Sequence, residues 1–202
     1  MADQDLKKIV TEHFDKQISI SNEGKFLNIC GSDINSIFLR GPYVHVEKLL
    51  EDKLKEKNVL DYCCGSGNYS IYPALKGAKV YGLDISQNSI DTAIERSKLF
   101  GVEDMCIFSK GDAENMAFEN NFFDIVLSYG SLSYLNLDKS LEEVRRVLKP
   151  GGLFIIIDSL GHNPIFNANR KKNILKYAPD HYSQLKTLNI DNIKNMISNK
   201  HF

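Results

Sequence analysis

The apolar positions of this chain fall into two kinds of run that alternate. Short, nearly continuous stretches stand at 58–62 (Asn-Val-Leu-Asp-Tyr), 79–84, 105–110, 123–128 and 153–158. Strands that lack polar alternation are buried on both faces, as in a parallel sheet covered by helices. Between them lie stretches with helical spacing. One spans about Ser86 to Phe100, with Ile90, Ala93 and Ile94 on one face; another spans Asp138 to Leu148 and buries Leu141, Val144 and Leu148. A further helix is expected after residue 62, running up to Gly77. Pro73 falls inside it, where it removes an N–H bond and clashes with the preceding turn, which predicts a late start or a kink. Lys149-Pro150-Gly151-Gly152 breaks the Asp138 helix. This order predicts an α/β fold with a doubly wound, mostly parallel sheet and ligands at the carboxyl ends of its strands.

Upstream of the alternating region the periodicity is weaker. Leu6, Ile9, Val10 and Phe14 can share a helical face, and Val46, Leu49, Leu50 and Leu54 recur at helical spacing behind Pro42, which suits a first turn. Residues 1–57 therefore read as a helical cap on a single domain whose core is 58–202. Downstream, Asn163 and Pro164 suit the start of a helix reaching about Tyr177, and a second is expected at Ile190–Ser198.

The chemistry concentrates after the first strand. Asp61 is followed by Tyr62-Cys63-Cys64 and the turn Gly65-Ser66-Gly67. Glycines let backbone approach a ligand closely, and a helix start presents free N–H groups. Gly65-x-Gly67-x-x-Ser70 also comes close to a dinucleotide fingerprint, but an acid precedes the glycines and Ser70 replaces the third small residue.

Leu-Asp-Tyr-Cys-Cys-Gly-Ser-Gly resembles motif I of the class I S-adenosylmethionine (SAM)-dependent methyltransferases, which usually carry glycine where Cys63 stands. Three further stations follow at matching strand ends: Asp84-Ile85 after the second, Gly111-Asp112-Ala113-Glu114 after the third, and Ser128-Tyr129-Gly130-Ser131 after the fourth. Lys-Pro-Gly-Gly also matches the family's turn before strand 5. The resemblance, over about residues 45–160, implies a Rossmann-like sheet and SAM as cofactor, leaving S-adenosylhomocysteine. It implies Asp84 on the ribose hydroxyls, the Asp112 side chain and Ala113 N–H on the adenine edge, and the Ser128–Tyr129 backbone at the methionine part. Asp61, Cys63, Gly65, Ser66, Gly67 and Ile85 complete the implied cofactor set. The N-terminal helices would help form the substrate pocket, making Phe14, Arg40 and Tyr43 candidates. Such enzymes end in an antiparallel hairpin of strands 6 and 7; no stretch here matches it, so the expectation is a truncated chain or a missing sheet edge.

The segment Asp158–Pro164 looks like the small-molecule methyltransferases of the type 11 group, and no Asn/Asp-Pro-Pro-aromatic motif follows the fourth strand. A small methyl acceptor is expected, attacked through O, N or C, with His162 or Tyr134 as candidate base. The alternative is a SAM-binding regulatory or scaffold protein without turnover. Composition adds exclusions. Net charge is −1, and the Lys/Arg excess after residue 162 is interspersed at helical spacing, so no nucleic-acid surface is expected. No apolar run is long enough to span a bilayer. Four cysteines at 30, 63, 64 and 106 form no Cys-x-x-Cys pair, so a reduced, cytoplasmic protein without a metal site is expected.

Overall fold

The computed structural model describes residues 7–8, 11–12, 40–158 and 189–199. Its elements are α1 (Arg40–Leu50), β1 (Asn58–Tyr62), α2 (Ile71–Leu75), β2 (Lys79–Asp84), α3 (Gln87–Leu99), β3 (Cys106–Lys110), β4 (Phe123–Tyr129), α4 (Leu137–Val147), β5 (Leu148–Ile157) and α5 (Ile190–Asn199). Two 3-10 turns, Glu103–Met105 and Leu132–Tyr134, complete them. The five strands pair in parallel in the order β3-β2-β1-β4-β5. The chain moves outward from β1 to β3 and returns beside β1 at β4. The crevice at the carboxyl ends of β1 and β4 is the switch point at which such sheets bind ligands.

The strand period of two sends alternate residues to two cores. Leu60, Tyr62, Phe123 and Val126 pack with Val144 and Val147 of α4 and Ile193 of α5. Val59, Val80, Ile125 and Leu127 pack on the other face with Val46 and Leu50 of α1 and Ile71 and Ala74 of α2. Leu49, expected on the apolar face of α1, points outward at 43 % exposure, and Leu54 is fully buried beyond the end of the helix.

Two local expectations resolve through proline and glycine chemistry. The helix after β1 starts late, at Ile71, which puts Pro73 in its first turn, where no intrahelical N–H bond is due. Lys149–Gly152 does end the helix, but it belongs to β5 rather than standing outside it. Phe123 pairs with Leu148 and Ile125 with Leu153, so these residues bulge opposite Asp124, with Gly151 at φ +76°. Lys149 Nζ donates to Asp124 Oδ2 at 2.9 Å and fixes the bulge. Among the described residues no antiparallel strand of the expected hairpin is present. The helix expected at 163–177 lies outside the described residues, and the one at Ile190–Ser198 is α5.

Between β3 and β4, residues 116–120 converge on one side chain. Arg146 donates to Glu143 through Nε (2.7 Å) and Nη2 (2.7 Å), to the Met116 and Phe118 carbonyls at 2.8 and 2.6 Å, and to Asn120 Oδ1 at 2.9 Å. Glu143 Oε2 in turn accepts the Met116 N–H at 2.6 Å. Hydrogen bonds to a charged group contribute about 1.5–3 kcal/mol. Arg146→Ala is therefore expected to lower stability by about 2–3 kcal/mol in urea unfolding. A loss under about 0.5 kcal/mol would show that the loop is held elsewhere.

Candidate active site

The turn after β1 is built from residues in left-handed backbone. Cys63, Gly65 and Gly67 have φ of +56°, +51° and +73°. Glycine takes such angles freely, whereas an L side chain there costs about 1–2 kcal/mol. The glycine usual in motif I at the Cys63 position thus has a conformational reason, and Cys63 holds the same backbone under strain. Gly67 is confined twice, because a Cβ there would lie 2.8 Å from the Ala93 Cβ of α3. At Gly65 an added Cβ meets nothing within 4 Å, so the turn faces open space in front of its first glycine.

Asp84, at the end of β2, closes this turn. Its Oδ2 accepts the Gly65 N–H at 2.8 Å and its Oδ1 accepts the Ser86 N–H at 2.9 Å. Ser86 itself caps α3, its side chain accepting the Ser89 N–H at 3.0 Å. Arg96, buried on α3, donates Nε to the Ser66 carbonyl at 2.8 Å. Ile85 is half-buried next to Asp84.

Asp61 lies under the turn, 1 % exposed, and accepts the Ser70 hydroxyl at 2.5 Å. Burial pushes its pKa from 3.8 up to about 7; the Ser70 bond opposes this and the Asp84 charge adds to it. Ser70, the residue that weakened the dinucleotide fingerprint, is buried and spent on this bond.

Two more strand ends face the same crevice. After β3, Asp112 Oδ1 accepts the Glu114 N–H at 2.9 Å, and Ala113 is buried. Lys7 reaches them from the N-terminal segment, its Nζ 2.6 Å from Asp112 Oδ2 and 2.8 Å from Glu114 Oε2. After β4, Ser128 is buried with its Oγ 3.0 Å from Ser131 Oγ, and Tyr129 is half-buried. The Leu132 N–H donates to Asp158 Oδ2 at 2.9 Å, tying the β4 and β5 ends together.

Asp61, Cys63, Gly65, Ser66, Gly67, Asp84, Ile85, Asp112, Ala113, Ser128 and Tyr129 therefore gather at the carboxyl ends of four adjacent strands. Tyr43 of α1 joins them by stacking on Tyr69 at 5.0 Å. Tyr134 is half-buried in the 3-10 turn after β4. Arg40 begins α1, but its side chain, like Phe14 and His162, lies outside the described residues. Lys7, Tyr69 and Arg96 escaped the sequence reading. An aromatic two positions past the last glycine of a strand-end turn was the available sign for Tyr69; Lys7 and Arg96 carried none.

Cys63 is half-buried beside Asp84, Ser131 and Asp61; burial and these carboxylates raise its pKa well above the ordinary thiol value. A protonated thiol is a poor nucleophile. Cys63→Gly is expected to raise stability by up to about 1 kcal/mol, strain relief outweighing the extra chain entropy of glycine. It should bind SAM at least as well as the parent in calorimetry. Retained binding with turnover lost would make the thiol a participant after all.

The donor set fits an S-adenosylmethionine-type ligand. A glycine turn opens onto free space, and carboxylates stand at the ends of β1, β2 and β3, with hydroxyls, an amine and a sulfonium as matching groups. A diphosphate would meet these acids as like charge.

Comparison with known proteins agrees. A family model described as a methyltransferase domain matches residues 60–156. A sterol 4-C-methyltransferase of Caenorhabditis elegans is 36% identical over 135 residues, 66% of this chain and 40% of that protein. A 2-phytyl-1,4-naphtoquinone methyltransferase of Nostoc punctiforme is 39% identical over 103 residues, 49% of this chain and 45% of its own length. The chain thus spans less than half the length of these curated relatives. Among solved structures, an N-methyltransferase from Haemonchus contortus, in complex with phosphomonomethylethanolamine and S-adenosylhomocysteine, superposes with a TM-score of 0.64. It is 25% identical, the match covering 79% of this chain and 36% of that one.

Proposed function

We propose that residues 60–156, which match a family model described as a methyltransferase domain, form a class I SAM-dependent core, and that the chain moves the SAM methyl group to a nucleophilic O, N or C atom of a small molecule. The observation that carries the reading is the Asp84 carboxylate, closing an open glycine turn at the switch point of a parallel sheet. When bound, the cofactor supplies an electrophilic methyl on a sulfonium, and transfer is an in-line displacement. The protein's part is then alignment and exclusion of water. In this reading Asp84 receives the ribose hydroxyls on its remaining lone pairs, and Asp112 with the Ala113 N–H meets the adenine edge. Asp61 lends negative charge beneath the methionine part, and Tyr129 lines the path to the acceptor. Tyr134 and His162 are the groups for removing an acceptor proton.

A small acceptor is supported by the relatives, whose names give a sterol and a naphthoquinone as substrates. No helix among the described residues is long and apolar enough to cross a membrane. A reduced, cytoplasmic setting goes with the reading and is supported by free thiols at Cys63, Cys64 and Cys106. The second reading, a SAM-binding scaffold without turnover, is favoured only by the strained Cys63. Calorimetric titration with SAM, S-adenosylhomocysteine and NADH tests the cofactor: binding of NADH alone would sink both readings. A methyl-release assay against a metabolite panel separates the two.

A further inference from the structure

Beside the cofactor turn, on the α1 face of the sheet, lies an open apolar cleft that shares only Tyr129 with the cofactor set and Tyr43 with the substrate-pocket candidates. Three tyrosines, from α1, β4 and the turn after β1, build its wall. Tyr69 stacks on Tyr129 at 4.1 Å with 24° between the planes, and Tyr43 stacks on Tyr69 at 5.0 Å with 6° between them. Val46 and Leu50 of α1 and Ile71 of α2 form its floor, and Leu75, 57 % exposed, stands at its rim. Rings at these separations leave no slot between them, so the stack offers a ligand one broad aromatic face.

Two features restrict what fits. Among the described residues no lysine, arginine or histidine lines the cleft, while Glu47 does; Lys76, 5.6 Å above the Tyr72 ring, is paired with Glu51 at 3.6 Å, so an anionic group would have to compete for it. Asn68, next to Tyr69, is one of the residues lining the cleft, and its amide oxygen is buried with no hydrogen-bond partner among the described residues. A buried acceptor left unpaired is costly, and such groups mark a missing donor. Tyr129 ends β4 at the switch point, so this cleft opens onto the crevice that holds the cofactor residues.

We infer that the cleft lined by Tyr43, Tyr69 and Tyr129 takes a neutral, apolar, hydroxyl-bearing molecule whose O–H donates to the Asn68 amide oxygen. That this molecule is the methyl acceptor rests on the methyltransferase reading; the binding chemistry does not. The hydroxyl end lies inward at Asn68, and the apolar body runs along the tyrosine wall toward Leu75.

The chain has no tryptophan and nine tyrosines, so the ligand-induced change in tyrosine emission that is lost in a Tyr69→Phe variant reports on the stack. We would titrate the full chain with 1-decanol, decyl methyl ether and decyl phosphate, all transparent in the tyrosine band, with and without SAM. Decanol is expected to bind about tenfold tighter than either the ether, which has no donor, or the phosphate. Asn68→Leu should bring decanol and its ether to equal affinity while leaving the SAM dissociation constant within about twofold. Decyl phosphate can enter only reversed, with its tail inward and its phosphate at the rim, so Leu75→Arg there should strengthen it about tenfold, an arm that stands even if the Asn68 variant folds poorly. Equal binding of alcohol and ether by the parent, or tighter binding of the phosphate, would overturn the inference. So would an Asn68→Leu protein that loses SAM and decanol together, which would place Asn68 in the cofactor site. Selective decanol binding by a chain that ignores SAM would leave the cleft standing and remove the methyltransferase reading.

Discussion

Replacing Asp84 with alanine is expected to weaken SAM binding on the order of ten- to a hundredfold. Bonds from two ribose hydroxyls to a charged acceptor are worth about 1.5–3 kcal/mol, and about 1.4 kcal/mol is a factor of ten. From sequence, the same substitution should leave the fold almost untouched. The structure changes that expectation. Asp84 already accepts the N–H groups of Gly65 and Ser86, so its removal leaves two backbone donors unpaired and frees the cofactor turn. A stability loss of about 1–3 kcal/mol is expected alongside the affinity loss. Asp84→Asn keeps an acceptor oxygen but turns one position into a donor facing a donor, so it should fall between parent and alanine in both measurements. Calorimetry with SAM and urea unfolding read the two effects separately. An Asp84→Ala protein that binds SAM like the parent would put the ribose elsewhere, and the cofactor assignment would be withdrawn.

The second large effect is on pH dependence. Asp61 is raised from 3.8 to about 7, chiefly by burial. Below pH 3.8 the carboxyl is neutral in both folded and unfolded chains. Between 3.8 and about 7 the folded chain holds a proton that the unfolded chain has lost, so stability falls as pH rises through this window. Above pH 7 the buried carboxylate is charged and the loss has levelled off, at about 4 kcal/mol. Asp61→Asn removes the titration. The variant should therefore gain on the parent by about 3 kcal/mol between pH 5 and pH 8 in urea unfolding. Parallel curves for the two proteins would mean that Asp61 ionises normally in the fold. A cationic ligand above the turn favours the carboxylate, so SAM binding near pH 7 should also release protons. Titration in buffers of different ionisation heat detects that release, and Asp61→Asn should abolish it.

Much of this protein was legible from local pattern. The strands apart from the start of β5 were short and mostly apolar, the helices carried a face with Leu49 the exception, and Ser86 and the glycines sat where a cap or a left-handed turn needs them. Such signals depend on neighbours within a turn or a pleat, so a linear reading recovers them. The four strand-end stations were visible for the same reason: a parallel sheet brings every carboxyl end to one edge, so order along the chain becomes adjacency in space. Pro73 gave its warning in sequence and was accommodated by the late start that its missing N–H favours.

What only the tertiary structure decided involves pairs far apart in the chain or the energy of burial. Lys7 meets Asp112 across 105 positions, and Arg96 reaches Ser66 across 30. No periodicity records either. Tyr43 and Tyr129 were expected at one site on the resemblance alone, but their stack through Tyr69 exists only because β1 and β4 lie side by side and α1 folds over their ends. Asp61 and Asp84 are the same residue type in similar strand-end contexts. One is sealed under a turn against a single serine, the other holds two backbone N–H groups at its mouth. The sequence determined that carboxylates would stand at these strand ends; packing alone decided that Asp61 would hold its proton up to about pH 7, because the cost of charge depends on the water that folding removes.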